Sequence, residues 1–206
     1  GVSGSALGPL VASGMVTLAS NGMGISGLQL ALGSSLFSGG IDMDWAAAKL
    51  RLDIDLQVAA LEVTPLLSLD VKSDPNSNDE PDIEPEVYFN VSVDRIIEYP
   101  WIEQAAASGS YVSDIIELAT LEVNAYESHA KGRLQVGLQA KCPQLSFELD
   151  AESIPLELPA ADWLPEAPIG GVVGSAAMKL NTRGCDIEAL GNNLAATLRL
   201  AETTIS

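Results

Sequence analysis

The run Leu50-Arg51-Leu52-Asp53-Ile54-Asp55-Leu56-Gln57-Val58 constrains the fold more than any other feature, because every even position is aliphatic and every odd position is polar or charged. A strand puts successive side chains on opposite faces, so this run gathers its aliphatic groups on one side, whereas a helix would scatter them. The same alternation recurs in Leu28-Gln29-Leu30-Ala31-Leu32, Ile41-Asp42-Met43-Asp44-Trp45, Leu134-Gln135-Val136-Gly137-Leu138 and Leu145-Ser146-Phe147-Glu148-Leu149. Turn-prone segments, Gly33-Ser34-Ser35, Ser38-Gly39-Gly40 and Lys141-Cys142-Pro143, separate these runs and predict antiparallel neighbours, with a meander as the simplest topology. Val87 to Val93, Ile115 to Val123, Gly174 to Leu180 and Ala195 to Leu200 are further predicted strands.

Helical signals are few. Residues 186–193 predict a turn or two, with Ile187, Leu190 and Leu194 at helical spacing, and Thr64 to Leu69 and Ala160 to Leu164 are weaker cases. The segment Ser73 to Pro85 combines Pro, acids and polar turn formers and reads as a mobile acidic loop over 73–86. It separates a first β repeat, 1–72, from a second, 87–206, which repeats the order of elements at a spacing of about ninety residues. The predicted class is mainly β: an elongated, twisted antiparallel sheet folded into a groove or open sandwich, with one to three short helices.

Composition sharpens this. The 206 residues are 47% apolar but only 5% aromatic and 18% charged, so aliphatic side chains must do the packing. Asp and Glu outnumber Lys and Arg 28 to 10, a net charge of −18 that repels nucleic acid and anionic headgroups at long range. The first 41 residues carry no charged side chain. Gly, Ser, Asn and Pro9 interrupt them, and no stretch reaches the roughly 20 apolar residues a membrane helix needs. With no initiator Met, basic leader or cleavage site, the chain reads as a mature or internal segment.

Candidate chemistry is sparse. Cys142 and Cys185 are the only cysteines and His129 the only histidine, too few ligands for a zinc site. The two cysteines fit either one disulfide or two buried thiols. Gly22-Met23-Gly24-Ile25-Ser26-Gly27 matches a dinucleotide fingerprint in letters, but a strand follows where pyrophosphate needs a helix N-terminus, so a hairpin turn is expected there. Asp74, Asn76 and Asn78 imitate the start of a calcium loop that has Asp79 where Gly is needed and Pro85 where Glu is needed. His129 reads as a solvated turn residue, with no nucleophile elbow to serve. Trp45, Trp101 and Trp163 read as packing residues at the ends of apolar runs, and Asn90-Val91-Ser92 is a glycosylation sequon in form only. No catalytic residue, metal site or cofactor is expected, and the chain is read as no enzyme.

Two longer stretches carry a resemblance. Ile25-Ser26-Gly27-Leu28-Gln29-Leu30-Ala31-Leu32-Gly33-Ser34-Ser35-Leu36-Phe37-Ser38-Gly39-Gly40 is followed by strands at Asp42 to Asp44 and Leu52 to Leu56 that run on to Leu67. Gly171 to Gly184 is followed by Ile187-Glu188-Ala189-Leu190-Gly191-Asn192-Asn193-Leu194 and a last strand near Leu198. In this order they resemble the AsmA-like family of bacterial envelope proteins, relatives of the bridge-like lipid transfer proteins. Val87 to Ile97 and Leu118 to Ala140 resemble the strands between. The chain departs from the family pattern at His129-Ala130-Lys131-Gly132, where a Gly-Gly-like turn is usual, and in its long acidic insert.

The resemblance implies a periplasmic segment tethered to the inner membrane through a part of the protein outside this chain, with envelope proteins as possible partners. It also implies a role in outer-membrane lipid homeostasis, conducting phospholipid or another acyl-chain ligand along an apolar groove. The expected groove residues are Leu28, Leu30, Leu32, Ile41, Met43, Leu50, Leu52, Ile54 and Leu56, with Leu134, Val136, Leu145, Phe147 and Leu149 in the second repeat. Two readings compete: a structural or adhesive β-sandwich with a dry core, and an outer-membrane barrel, for which aromatic girdles are too sparse.

Overall fold

The computed structural model describes residues 10–46, 49–64, 85–125, 128–138, 142–155, 171–185 and 187–205. Among them are eleven strands and one short helix, and the alternating runs all lie in strands or at their ends, so the chain is mainly β as predicted. The strands divide into two units on either side of the Pro100–Trp101 bond.

The first unit holds β1 (Leu10–Ala19), β2 (Gly22–Leu32), β3 (Ser35–Asp44), β4 (Arg51–Ala60) and β5 (Glu86–Val93). β1 to β4 form the predicted antiparallel meander. β5 departs from it by lying parallel to β4, Arg51 opposite Glu86 through Val58 opposite Val93. A parallel neighbour requires the chain to return to the starting end, which takes about a dozen residues or more, and the segment between Ala60 and Glu86 is long enough. Because β5 pairs with β4, the residues up to Pro100 lie in the first unit. Residues 65–84, with most of the expected 73–86 acidic loop and of the expected Thr64–Leu69 helix, lie outside the described residues, as do 156–170 with the expected Ala160–Leu164 helix; Glu86, at the end of the expected loop, begins β5.

The second unit is a meander throughout: β6 (Ile102–Val112), β7 (Ile115–Ala125), β8 (Ser128–Gly137), β9 (Gln144–Pro155), β10 (Gly171–Arg183) and β11 (Ala195–Ile205), each antiparallel to its neighbour. Helix α1 (Ile187–Asn192) links the last two and matches the predicted 186–193 helix. β6 and β7 are joined by Ser113 and Asp114 with φ of 49° and 60°, the paired left-handed conformation that lets a two-residue hairpin follow the twist of its strands.

Two expected turns are strand interior. Ser38-Gly39-Gly40 lies inside β3, and Gly22 to Gly27 lies inside β2. Gly27, with φ of 58°, sits in a bulge between Ile25 and Leu28, so the fingerprint-like glycines curve a strand instead of turning it. Gly39 has φ of 150°, and a side chain there would run into the Asp55 carbonyl oxygen across the ladder. Only glycine lets β3 and β4 approach at this point.

Among the described residues, buried apolar side chains are few: Val58, Ala60 and Val93 in the first unit, Ala151 and Val173 in the second. The first three lie together where β4 and β5 end. The chain is pinned there by Leu61 bridging Ile96, by the buried Ser35 Oγ accepting the Glu62 N–H at 2.9 Å, and by the Glu98 carboxylate. Glu98 accepts the Val63 and Thr64 N–H groups at 3.0 and 2.8 Å, and these two backbone donors hold its pKa at about 2.

Gly39→Ala is expected to cost at least about 2 kcal/mol of stability in chemical denaturation, since the left-handed strain and the clash add. The depressed Glu98 pKa means that its contribution is complete above the ordinary carboxylate value near 4.5 and is lost as pH falls toward 2. Glu98→Gln should therefore lower the melting temperature at pH 7 and flatten its fall between pH 4.5 and 2, as read by thermal melts across that range.

Candidate functional site: two open aliphatic sheet faces

Register turns the alternation into rows. In the first unit Met23, Met43, Leu52 and Val87 lie opposite one another on β2 to β5, and the next row is Ile25, Ile41, Ile54 and Phe89. Leu28, Gly39, Leu56 and Val91 follow, then Leu30, Phe37, Val58 and Val93. Residues directly opposite on paired strands share a face, so these rows form one aliphatic surface four strands wide, roughly 14 Å across at the usual strand spacing. On β1, Leu18 and Val16 extend the first two rows, opposite Met23 and Ile25.

All nine residues expected to line the groove in the first repeat are accounted for. Leu28, Leu30, Ile41, Met43, Leu52, Ile54 and Leu56 stand in these rows, and Leu32 continues them at the end of β2 opposite Leu10. Leu50 stands just before β4, half-buried, and its carbonyl accepts the Glu86 N–H at 2.8 Å. Met23, Ile25, Val87, Phe89 and Val91 belong to the same surface but were not singled out, because glycines and the acidic segment separate them from the clearest alternating runs.

The second unit repeats the arrangement. Gly109, Leu118, Leu134, Phe147, Leu180 and Ala196 form one row across β6 to β11, and Ala107, Leu121, Gly132, Leu149, Met178 and Leu198 the next. Tyr111, Ile116, Val136, Leu145 and Thr182 flank them. Leu134, Val136, Leu145, Phe147 and Leu149 are thus brought together on one surface, joined by Leu118, Leu121, Met178 and Leu180.

These surfaces are open. The aliphatic residues of β2 to β5 and β7 to β10 are mostly half-buried, and on the outer strands Leu18 is 73% exposed and Leu198 62%. A closed core would bury such residues almost completely.

The opposite faces hold the charge. Arg51 pairs with Asp53 at 2.7 Å and lies over the Tyr88 ring, and its guanidinium holds the Asp53 carboxyl below its ordinary range. Glu148 accepts Lys179 Nζ at 2.9 Å and Arg133 Nε at 2.7 Å, and these two cations lower its pKa. On this side of the first unit, Gly22 and Gly24 leave a shallow hollow of about 500 Å³ beside Asp42, Asp44 and Asp53.

Residues weighed for chemistry are absorbed structurally. His129 is in β8 rather than in a turn, half-buried, with Nδ1 2.6 Å from Asn124 Oδ1. Trp45 donates from Nε1 to the Ser20 carbonyl at 3.2 Å, and Asn90 to Ser92 lies within β5. Trp163 lies outside the described residues. Among the described residues, no group of three or more His, Cys, Asp or Glu is placed to hold a metal ion.

Of the two states open to the cysteines, the structure has the disulfide, Cys142 to Cys185, Cα atoms 4.3 Å apart. It fastens the entry of β9 to the exit of β10, where Gly184 donates to the Pro143 carbonyl at 3.2 Å and α1 packs back through a hydrogen bond from Thr182 Oγ1 to the Leu190 carbonyl. Because Thr182 belongs to the outermost aliphatic row, α1 and the disulfide finish one end of the second surface.

No protein-family model, curated protein or solved structure matches the chain.

Replacing both cysteines by Ala, or reducing the protein, should destabilise the second unit by about 3–4 kcal/mol, the loop-closure entropy of a 43-residue span. Urea denaturation with and without reductant measures this directly.

Proposed function

We propose that the chain binds acyl chains along its aliphatic sheet faces, as a periplasmic segment of an AsmA-like envelope protein that conducts phospholipid. The observation that carries this reading is the pairing of long aliphatic rows with half-exposed side chains. Apolar surface left in water costs about 25 cal/mol per Å², so a surface of this kind favours an apolar occupant. Its chemistry favours acyl chains over a rigid ligand: the rows are mostly Leu, Ile, Val and Met with few rings. Within the named rows every residue is uncharged, so a hydrocarbon tail lying along them meets no carboxylate of the rows themselves.

The disulfide supports an oxidising location such as the periplasm, because such bonds rarely persist in a reducing cytosol. A structural β-sandwich with a dry core fits less well, since it would bury the residues that stand half-exposed in these rows. The AsmA-like identity rests on the order of the two quoted stretches, and the lipid class follows from the surface chemistry.

Native mass spectrometry of the chain purified from a bacterial periplasm is expected to show bound phospholipid, with a fluorescent fatty acid displacing it. Ile54→Glu, in the middle of the central row, should weaken fatty-acid binding at least tenfold, because it places a charge under the tail. Asp55→Asn, on the opposite face, should leave binding unchanged. Folded protein that carries no lipid and takes up no fatty acid would refute the proposal.

A further inference from the structure

We propose that β1 is a self-association edge: two copies pair β1 with β1, antiparallel about a twofold axis at Thr17, and so join the aliphatic faces of their first units. An outermost strand offers a row of backbone N–H and C=O groups to any passing strand, and proteins usually blunt it with charge, Pro or a kink. β11 is blunted in this way: it carries Arg199 and Glu202, and Glu202 interrupts the strand with φ of 55°. β1, the outermost strand of the first unit among the described residues, carries no charged residue and no Pro in Leu10–Ala19, while Val11, Met15, Val16 and Leu18 are 64%, 68%, 58% and 73% exposed.

The one irregularity in its pairing lies between Ser13 and Met15, opposite the Gly27 bulge of β2. Beyond it, Met15 to Ala19 pair with Ser26 to Gly22 without a shift, leaving a regular five-residue arm.

Charge selects the occupant. A chain with 28 acidic and 10 basic residues repels its own copies over most of its surface, but the first 41 residues are uncharged. The nearest acids on this part of the sheet, Asp42 and Asp44, are on β3, two strands in. Across a β1–β1 seam, Asp42 and its counterpart would stand about five strand spacings apart, roughly 24 Å, several times the screening length at physiological salt. Among the described residues, the seam therefore keeps the nearest sheet carboxylates of the two copies well beyond close range.

The arm is also self-complementary. With Thr17 on the axis, Val16 faces Leu18 of the second copy. Val16 ends the row of Ile25, Ile41, Ile54 and Phe89, and Leu18 ends the row of Met23, Met43, Leu52 and Val87. Each row of one copy thus runs on into a row of the other, doubling the width of the apolar surface. This association does not depend on lipid.

Sedimentation equilibrium of the full chain without lipid is expected to give twice the chain mass. Thr17→Lys, which sets two ammonium groups face to face at the axis, should shift the dimer dissociation constant at least tenfold toward monomer. Ala201→Lys on β11 should not change it. Thr17→Cys, leaving one free thiol per chain, should cross-link to a covalent dimer under mild oxidation, with an unchanged circular dichroism spectrum confirming the fold. A monomer at all concentrations, open-ended polymers, a dimer indifferent to Thr17→Lys but broken by Ala201→Lys, or vesicle binding by a monomeric chain through β1 would each overturn the proposal.

Discussion

Backbone hydrogen bonding and side-chain burial are satisfied by different means in this chain, and the structure follows from that separation. Each interior strand completes its ladder with two neighbours, so the sheets need no covering layer to satisfy their peptide groups. The aliphatic side chains have no such local solution. Alternation collects them on one face, and a face of Leu, Ile, Val and Met must meet another layer or an apolar ligand. Among the described residues one six-residue helix is the only helical partner, and it touches the end of the second surface rather than its middle.

The few buried residues illustrate the consequence. Val58, Ala60 and Val93 are shielded because β4, β5 and the segments beyond them converge, with Ser35 and Glu98 satisfying the backbone there. That cluster acts as an anchor for the parallel β4–β5 pair, which lacks a hairpin to set its register. In the second unit the equivalent constraint is covalent. The meander is held at its β9–β10 end by the disulfide and by Gly184, whose neighbours Ala189 and Leu190 leave no room for a side chain.

Much of this was legible in the amino-acid sequence, and for a physical reason. A strict two-residue period leaves no freedom about which side chains share a face, so the rows through Leu52, Ile54 and Leu56, and through Leu134 and Phe147, follow from alternation alone. Three things were not legible. Where aliphatic residues are three apart, as Ile25 to Leu28 and Leu118 to Leu121, the period breaks, yet a bulge restores the face in each case. β6, with its Ala-Ala-Ala-Ser-Gly centre, has too little contrast between faces to register as a strand. The parallel direction of β5 depends on how the chain returns from β4, and local patterning is silent on that.

Gly39 shows why patterning can also mislead in the other direction. Ser38-Gly39-Gly40 has the chemistry of a turn, and in isolation it would favour one. It stays extended because the ladder partners on both sides, Leu28 on β2 and Leu56 on β4, belong to alternating runs whose faces would be misaligned if β3 broke there. Tertiary register therefore overrides local preference, and glycine is retained because the Asp55 carbonyl occupies the space a side chain would need.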